Sequence, residues 1–129
     1  MERIVIDTSA LFEYFYATEK GVIVQSAVDR PDVDILVPLI VLSELSSKFL
    51  RRGIDPLGLI DFLEARCTFV ELNPSSAVKS GYLHAKLRKV EPDISLGDCI
   101  VMQIGEEYDS ALILTTDLAF KYYKNAKIL

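Results

Sequence analysis

Residues 3–11 read RIVIDTSAL, a short β-branched run that ends at an aspartate and leads into a helix-length segment. A second stretch, ALILTTDLAF over residues 111–120, shows the same order, with an aspartate two residues after Thr115. Continuous apolar runs, in contrast to alternating ones, are typical of parallel strands that are buried on both faces. The two stretches therefore predict strands of a mainly parallel central sheet.

Short apolar runs alternate with amphipathic segments along the rest of the chain. Strands are predicted at residues 3–6, 34–38, 67–72, 111–115 and 127–129. Helices are predicted at residues 9–17, 20–28, 40–52, 55–66, 73–90, 95–107 and, as a short one, 118–123. Strands separated by helices require right-handed crossovers, which cover the sheet on both faces. The fold class is therefore α/β, a three-layer α/β/α sandwich.

The composition limits the class of protein. The chain has 129 residues, of which 50% are hydrophobic, and it lacks repeats, low-complexity segments and flexible linkers. These properties favour one domain over residues 1–129. The longest apolar run, residues 35–42, contains Pro38 and is far shorter than the about 20 residues that a membrane span needs. No signal-peptide h-region follows the first residues, so we expect a cytoplasmic protein without a membrane partner.

The net charge and the positions of cysteine and histidine exclude further classes of function. The net charge is −5, which argues against nucleic acid as a partner unless some acids hold a metal ion. Cys67, Cys99 and the only histidine, His84, lack the spacing of a zinc site. We expect both thiols to be free and buried, and His84 to be a helix residue without a catalytic role.

Two aspartates follow predicted strands. Asp7 comes directly after the first strand, and Asp117 lies just beyond the end of the fourth. Binding crevices of parallel sheets form outside the carboxyl ends of the strands, so both are candidate site residues. Aspartate is also a favoured helix N-cap, and for each residue taken singly that structural role is an equally good interpretation.

Two further acids lie on the apolar faces of predicted helices. Glu44 lies on such a face in the helix at 40–52, and its structural alternative is an i,i+4 ion pair with Lys48. Asp98 lies three residues after Ser95, and its structural alternative is a capping box. A position near a helix N-terminus is expected to lower the pKa of the Asp98 carboxyl group and keep it ionised.

Taken together, the four acids indicate a metal site. If the sheet brings four carboxylates together, they repel one another unless a cation lies between them. A set of oxygen ligands without histidine or thiolate suits Mg²⁺ or Mn²⁺. Such ions commonly act on phosphate esters, where they activate a water and stabilise the charge on the leaving oxygen.

Four segments resemble the motifs of PIN-domain ribonucleases. They are IVIDTSAL at residues 4–11, LSEL at 42–45, SLGDCI at 95–100 and LILTTDLAF at 112–120. Their order and the length of the chain are also similar to the family, so the resemblance covers residues 1–129. Many relatives have a further acid where this chain has Ala119, so this chain lacks that additional ligand.

The resemblance implies an Mg²⁺-dependent (or Mn²⁺-dependent) endoribonuclease that cleaves RNA phosphodiesters by metal-activated water. It also implies the toxin of a VapBC-type toxin–antitoxin pair, with a homodimer and an antitoxin that blocks the acidic cleft. The acids that would be catalytic and hold the metal are Asp7, Glu44, Asp98 and Asp117. Thr115 would orient an acid or a water, and Thr8 and Ser9 are weaker candidates for that role.

An RNA substrate also needs cations that bind its phosphates. Candidate contacts are Lys48, Arg51, Arg52, Lys79, Lys86, Arg88 and Lys89. Most of these are expected to belong to solvated helix faces, and Lys48 is the exception because it lies one turn from Glu44. Single-stranded or looped RNA is the expected substrate, since the bases of a duplex are hard to reach.

Three other functions stay open at this point. A catalytically silent PIN-like module that binds RNA or protein has the same fold but would not bind metal. Phospho-receiver domains have a pair of adjacent acids after the first strand and a lysine after the last, and neither is in place here. Phosphatases similar to haloacid dehalogenases require a second aspartate two residues after Asp7, where this chain has Ser9.

Overall fold

The computed structural model describes residues 1–129. Its five strands are β1 (Glu2–Ile6), β2 (Val33–Pro38), β3 (Thr68–Val70), β4 (Leu112–Thr115) and β5 (Ala126–Ile128). Its six α-helices are α1 (Thr8–Phe15), α2 (Glu19–Val28), α3 (Leu39–Leu50), α4 (Leu57–Arg66), α5 (Pro74–Leu87) and α6 (Leu96–Glu107). A short 3₁₀ helix, Leu118–Tyr122, links β4 to β5. None of the helices is long and apolar enough to cross a bilayer.

All strand pairings are parallel, and the strand order is β3-β2-β1-β4-β5. At the centre, Ile4 of β1 pairs with Ile35 of β2 on one side and with Leu112 of β4 on the other. The chain crosses the sheet in one direction from β1 to β3 and in the opposite direction from β3 to β5. The topology therefore reverses between β1 and β4.

Helices cover the sheet on both faces. Ile113 of β4 faces α6, where its Cδ1 atom lies 2.9 Å from the position that a Cβ on Gly105 would take. Successive strand residues point to opposite faces, and Leu112 and Leu114 line a surface with Ile23 of α2. Helices thus lie on opposite faces of one sheet, which confirms the predicted three-layer α/β/α sandwich.

The centre of the sheet forms the core, as the continuous apolar runs predict. Ile4, Val5 and Ile6 of β1 are each at most 2% exposed, and Ile113 and Leu114 of β4 are buried as well. Over these residues both strands pack between two helix layers, whereas Glu2 and Arg3 at the start of β1 are exposed. The apolar runs end where the carboxyl edge of the sheet begins, and polar side chains take over there.

Side chains cap the starts of α5 and α6. The Asn73 side-chain oxygen accepts a hydrogen bond from the Ser76 amide (2.8 Å), which fixes the start of α5. The Ser95 hydroxyl accepts one from the Asp98 amide (3.0 Å), which fixes the start of α6. Each cap satisfies an amide that has no partner inside its helix.

Two predicted elements are longer than the observed ones by three residues or more. The strand predicted at 67–72 forms only over β3, because its partner β2 ends at Pro38, which pairs with Val70. The helix predicted to continue to residue 90 ends at Leu87. A turn follows, in which the Glu91 amide donates to the Leu87 carbonyl (2.8 Å), because the residue before Pro92 disfavours the helical conformation.

The cysteines and the histidine have the structural roles expected of them, with one exception. Both cysteines are free, and Cys99 is fully buried in α6. Cys67 is only half-buried at the end of α4, because it stands where the chain leaves the helix for the edge strand β3. His84 is half-buried on α5, with Nε2 at 3.1 Å from the Ile94 carbonyl oxygen.

Candidate active site

The carboxyl edge of the sheet brings the four predicted acids to one pocket. Asp7 follows β1, and Asp117 follows the neighbouring strand β4, at the place where the topology reverses and parallel sheets form binding crevices. Helices α3 and α6 bring Glu44 and Asp98 to the same edge. An open pocket of about 280 Å³ lies between them, and its lining is entirely polar or charged: Asp7, Thr8, Ser9, Glu44, Lys48, Arg51, Asp98 and Asp117.

Asp7 is buried and held in one orientation by two hydroxyls. Its Oδ2 atom accepts hydrogen bonds from Ser9 Oγ (3.0 Å) and Thr115 Oγ1 (2.9 Å). Each hydroxyl has one proton and both protons go to Oδ2, so neither hydroxyl occupies Oδ1. Burial raises the pKa of Asp7, and the hydrogen bonds from the two hydroxyls lower it by less. The side chain makes no capping bond to α1, so the capping interpretation is wrong for Asp7.

Thr115 joins the ends of β1 and β4. Its hydroxyl donates to Asp7 and accepts from the Asp117 amide (3.0 Å). The residue is fully buried and does not line the pocket. Of the two roles expected for Thr115, the structure therefore supports the positioning of an acid. Ser9 strengthens the same junction, since its Oγ also accepts from the Thr116 amide (2.9 Å).

Asp117 caps the 3₁₀ helix and also lines the pocket. Its Oδ1 atom accepts a hydrogen bond from the Ala119 amide (2.9 Å), which caps the 3₁₀ helix. The carboxylate also lines the polar pocket. The cap uses one carboxylate oxygen, so capping and ligand binding do not exclude each other.

Glu44 is half-buried and is held by a residue from another element. The Thr8 hydroxyl donates to Glu44 Oε1 (2.8 Å). Burial raises the pKa of Glu44, the Thr8 hydrogen bond lowers it, and the charge of Asp7 raises it further. The ion pair with Lys48 does not form. The Lys48 ammonium lies instead over the ring of Phe12, 3.8 Å from its centroid, so the ion-pair alternative is wrong.

Gly97 leaves the space that Glu44 needs. A Cβ on Gly97 would lie 3.0 Å from Glu44 Oε2, closer than most real contacts of that kind. A glycine in the first turn of α6 is otherwise unfavourable, because glycine is a weak helix former. Sequence reasoning missed this residue, and its weak helix propensity between Ser95 and Asp98 was the signal that could have indicated it.

Asp98 has the cap geometry that the sequence predicts but not the predicted ionisation. Burial, and then the negative charges of Asp117 and Asp7, raise the pKa of Asp98 to about 7. The expectation that the helix N-terminus lowers this pKa is therefore wrong. The first turn of α6 is only one source of positive potential, whereas two carboxylates and partial burial act in the opposite direction.

The donor set fits a hard divalent cation. Three of the four carboxyl groups, those of Asp7, Glu44 and Asp98, have raised pKa values, so their negative charge lacks compensation. All the available donors are oxygens, which Mg²⁺ and Mn²⁺ prefer. As the side chains stand, no three acids, histidines or cysteines converge closely enough to hold one ion. The acidic pocket therefore matches a divalent cation in its charge and its donor atoms. Direct ligation of one ion by three acids requires rotation of their side chains.

The cations are distributed unevenly around the pocket. Lys48 and Arg51, near the end of α3, line it together with the acids. Arg52 is exposed next to them. The other candidate phosphate contacts are exposed, do not line the pocket and lie on α5 or directly after it: Lys79, Lys86, Arg88 and Lys89.

The sequence matches one family model, which describes the PIN domain and covers residues 4–126. A sequence comparison with curated proteins finds no significant match. Among solved structures, VapBC2 from Rickettsia felis, bound to a DNA fragment from its promoter, is similar with a TM-score of 0.73. It is 14% identical, and the match covers 98% of this chain and 97% of that chain.

Two other solved structures have the same degree of similarity. VapBC-1 from nontypeable Haemophilus influenzae has a TM-score of 0.73 at 16% identity, covering 98% of this chain and 96% of that chain. VapC20 from Mycobacterium tuberculosis, a toxin that cleaves the sarcin–ricin loop, has a TM-score of 0.73 at 12% identity, covering 95% of each chain. At these identities the likeness shows a shared fold.

Proposed function

The chain belongs to the PIN-domain family, and on that premise we propose that it is an Mg²⁺-dependent endoribonuclease, the toxin of a toxin–antitoxin pair. The main support is that four carboxylates, brought from four separate parts of the chain, line one polar pocket. These residues are Asp7, Glu44, Asp98 and Asp117. The solved structures with the same fold supply further support, because they include VapBC complexes and a toxin that cleaves RNA.

The proposed site uses a divalent cation and positioned carboxylates. When bound, Mg²⁺ or Mn²⁺ would neutralise phosphate charge and make a water more acidic, so that it can attack phosphorus. Asp7, Glu44 and Asp98 would hold the ion directly or through water, and Asp117 would support it or orient the water. Thr115 positions Asp7 and the Asp117 backbone through hydrogen bonds of 2.9 and 3.0 Å.

The proposed reaction is hydrolysis of a phosphodiester. The oxygen of a water bonds to phosphorus, the bond from phosphorus to the 3′ oxygen breaks, and a proton passes to that leaving oxygen. The products end in a 5′-phosphate and a 3′-hydroxyl. Histidine chemistry has no part in this proposal, since His84 lies on α5 against the Ile94 carbonyl and does not line the pocket.

The proposed partners follow from the same reasoning. Single-stranded or looped RNA is the proposed substrate, because the stacked bases of a duplex are hard to reach. An antitoxin protein is the proposed inhibitor, because two of the similar structures are VapBC toxin–antitoxin complexes. A homodimer and a cytoplasmic location complete the proposal.

A catalytically silent binding module is the second candidate function. Two observations favour it: three acids do not converge on one point, and Ala119 stands where many PIN domains have a further acid. A silent module would retain the fold and its cationic residues but would bind no Mg²⁺ at the acidic pocket. Metal binding therefore separates the two candidates before any RNA is tested.

The first experiment combines metal binding with RNA cleavage. Purified protein is titrated with Mg²⁺ and with Mn²⁺ by calorimetry, and is then incubated with mixed-sequence RNA and either ion. We expect binding, and cleavage that stops in EDTA and in the Asp98→Asn variant. Asp61→Asn is the matched control, because Asp61 is exposed on α4 without an ion pair. Absence of both metal binding and cleavage would leave the silent module.

A second experiment tests the role as a toxin. The chain is expressed from an inducible promoter in a bacterial host, and growth is compared with that of cells expressing the Asp7→Asn variant. We expect the wild type to slow growth and the variant to leave it unchanged at equal protein level. Equal growth with both proteins would contradict the toxin role and leave the nuclease activity to the cleavage assay.

A further inference from the structure

Three cations at the end of α3 have no acidic partner. Lys48, Arg51 and Arg52, which we call the α3 cations, form no ion pair. Arg30, in contrast, pairs with two carboxylates of its own surroundings. Lys48 lies one turn from Glu44 and yet does not contact it. The α3 cations are therefore free to bind an anion.

Aromatic rings lie against the same cations. The Arg52 guanidinium lies 4.8 Å from the centroid of the Phe12 ring and 5.8 Å from that of Tyr16. Lys48 covers the Phe12 ring at 3.8 Å. Tyr16 packs parallel to the buried Phe49 ring at 5.7 Å but remains 42% exposed. Tyr16 is thus a supported ring with free surface beside positive charge.

A second pocket beside the acidic site, without the α3 cations, carries negative charge. A second pocket of about 270 Å³ adjoins Asp98 and Asp117, and it is lined by the further acids Glu91 and Asp93. Its one cation, Lys121, is 3.9 Å from a Glu91 carboxylate oxygen. A polyanion that reaches the site is therefore repelled on that side and attracted on the side of the α3 cations.

We propose that the α3 cations and Tyr16 form a subsite for a nucleotide of single-stranded RNA that flanks the bond to be cleaved. Lys48 and Arg51 line the acidic pocket and would contact the phosphates nearest to it. An unpaired base would stack on Tyr16, beside the Arg52 guanidinium. Aromatic rings with interleaved cations are the usual means of binding single strands without sequence readout.

The statement that the subsite flanks the cleaved bond rests on the proposed function. Binding of RNA to the subsite, however, can be measured without cleavage. A base that stacks on Tyr16 must be free of its own stack, so a duplex is excluded from the subsite. A protein helix is the competing occupant. RNA is favoured because the exposed ring lies beside cations that have no acidic partner.

The test measures binding of a fluorescent, mixed-sequence, single-stranded 12-nucleotide RNA in EDTA, where cleavage is suppressed. A triple variant, Lys48→Gln, Arg51→Gln and Arg52→Gln, should lower the slope of log K against log salt by about 2 in magnitude. The control triple, Lys20→Gln, Lys124→Gln and Lys127→Gln, removes the same charge from exposed positions that do not line the acidic pocket and should leave the slope unchanged. Equal changes in both triples would overturn the proposal.

Substitutions of Tyr16 test the stacked base. Tyr16→Ala should weaken RNA binding about tenfold, whereas Tyr16→Phe should retain it, because the ring and not the hydroxyl stacks. Unchanged affinity in Tyr16→Ala would overturn the base-stacking role and assign the ring to a protein partner. RNA that contains 4-thiouridine should crosslink to the peptide that carries Tyr16, and a crosslink confined to other peptides would overturn it as well.

Failure of the subsite and failure of the proposed function give different results. If the wild type cleaves RNA with Mg²⁺ but neither the α3 triple nor Tyr16→Ala changes RNA binding, the subsite is wrong and the nuclease remains. If both variants weaken binding but the wild type never cleaves RNA, the nuclease is wrong and the subsite remains. Thermal unfolding of each variant checks that it is folded.

Discussion

Removal of the Asp98 charge should stabilise the metal-free protein at neutral pH. The folded-state pKa of Asp98 is raised from 3.8 to about 7 by burial and by the charges of Asp117 and Asp7. The folded state therefore binds a proton more tightly than the unfolded state does. The stability that this proton gives is complete below about pH 4 and is lost as the pH rises through 7. Asp98→Asn keeps the neutral form at every pH.

The size of the stability gain in Asp98→Asn follows from two opposing effects. Without screening by solvent, a rise of about 3 pKa units would correspond to about 4 kcal/mol of unfolding free energy. The side chain is only half-buried, and screening by solvent reduces this to about 1–2 kcal/mol. Asparagine also loses the interaction of a charge with the N-terminus of α6, which is worth about 0.3–1 kcal/mol. The net gain above pH 7 is about 1 kcal/mol, or about 3–5 °C in unfolding temperature for a chain of this size.

The assay is thermal unfolding followed by circular dichroism in EDTA, at one protein concentration, near pH 3 and near pH 8. Asp98→Asn should unfold at a higher temperature than the wild type near pH 8, and the gain should almost vanish near pH 3, where Asp98 is protonated in the folded and the unfolded state. Asp61→Asn should show no such pH dependence. A variant less stable than the wild type near pH 8, or equally shifted at both pH values, would refute the view that repulsion outweighs the helix N-terminus at this residue.

Three further predictions concern the ion, the positioning hydroxyl and the packing of α6. Added Mg²⁺ should raise the unfolding temperature of the wild type, reversibly with EDTA, and an equal rise in Asp7→Asn would contradict the assigned site. Thr115→Val should cost about 1–3 kcal/mol in urea unfolding because it removes a donor from a buried carboxylate, and Thr115→Ser should restore most of the loss. Gly105→Ala should cost about 1–3 kcal/mol, because its Cβ would lie 2.7 Å from the Tyr123 hydroxyl oxygen. Gly81→Ala, which meets nothing within 4 Å, should instead gain about 0.5–1 kcal/mol, and equal effects of the two substitutions would show that packing is not the cause.

The fold could be predicted because its signals are local. A cap such as that of Asn73 acts on an amide three residues away, and a continuous run such as Ile4 to Ile6 specifies a strand buried on both faces. Element ends that depend on a distant partner could not be predicted. β3 stops at Val70 because its neighbour β2 stops at Pro38, and the sequence around residue 70 contains no sign of that limit.

The positions of the four acids could also be predicted, because each lies at a strand end or on an apolar helix face. Their partners could not. Glu44 has a lysine one turn away, yet its hydrogen-bond donor is Thr8, 36 residues earlier. Asp7 is held by Thr115 from the far end of the chain. The contact of Asp7 exists because β1 and β4 become neighbours in the folded sheet, and that of Glu44 because α1 packs against α3.

The ionisation of the site is a property of the assembled sheet and not of any one segment. The local sequence around Asp98, a serine cap at the start of a helix, predicts a lowered pKa, whereas the fold raises the pKa by burying part of the side chain and by placing two carboxylates nearby. A change that moves α6 relative to β1 would therefore alter the charge of Asp98 without touching it. The stability of the carboxyl edge of the sheet therefore depends on whether a cation binds to these carboxylates. The carboxyl groups of Asp7, Glu44 and Asp98, whose pKa values are raised, weaken the metal-free protein at neutral pH. Under the proposed function a divalent cation would supply the missing charge, so the ion that the proposed chemistry needs would also stabilise this edge of the sheet.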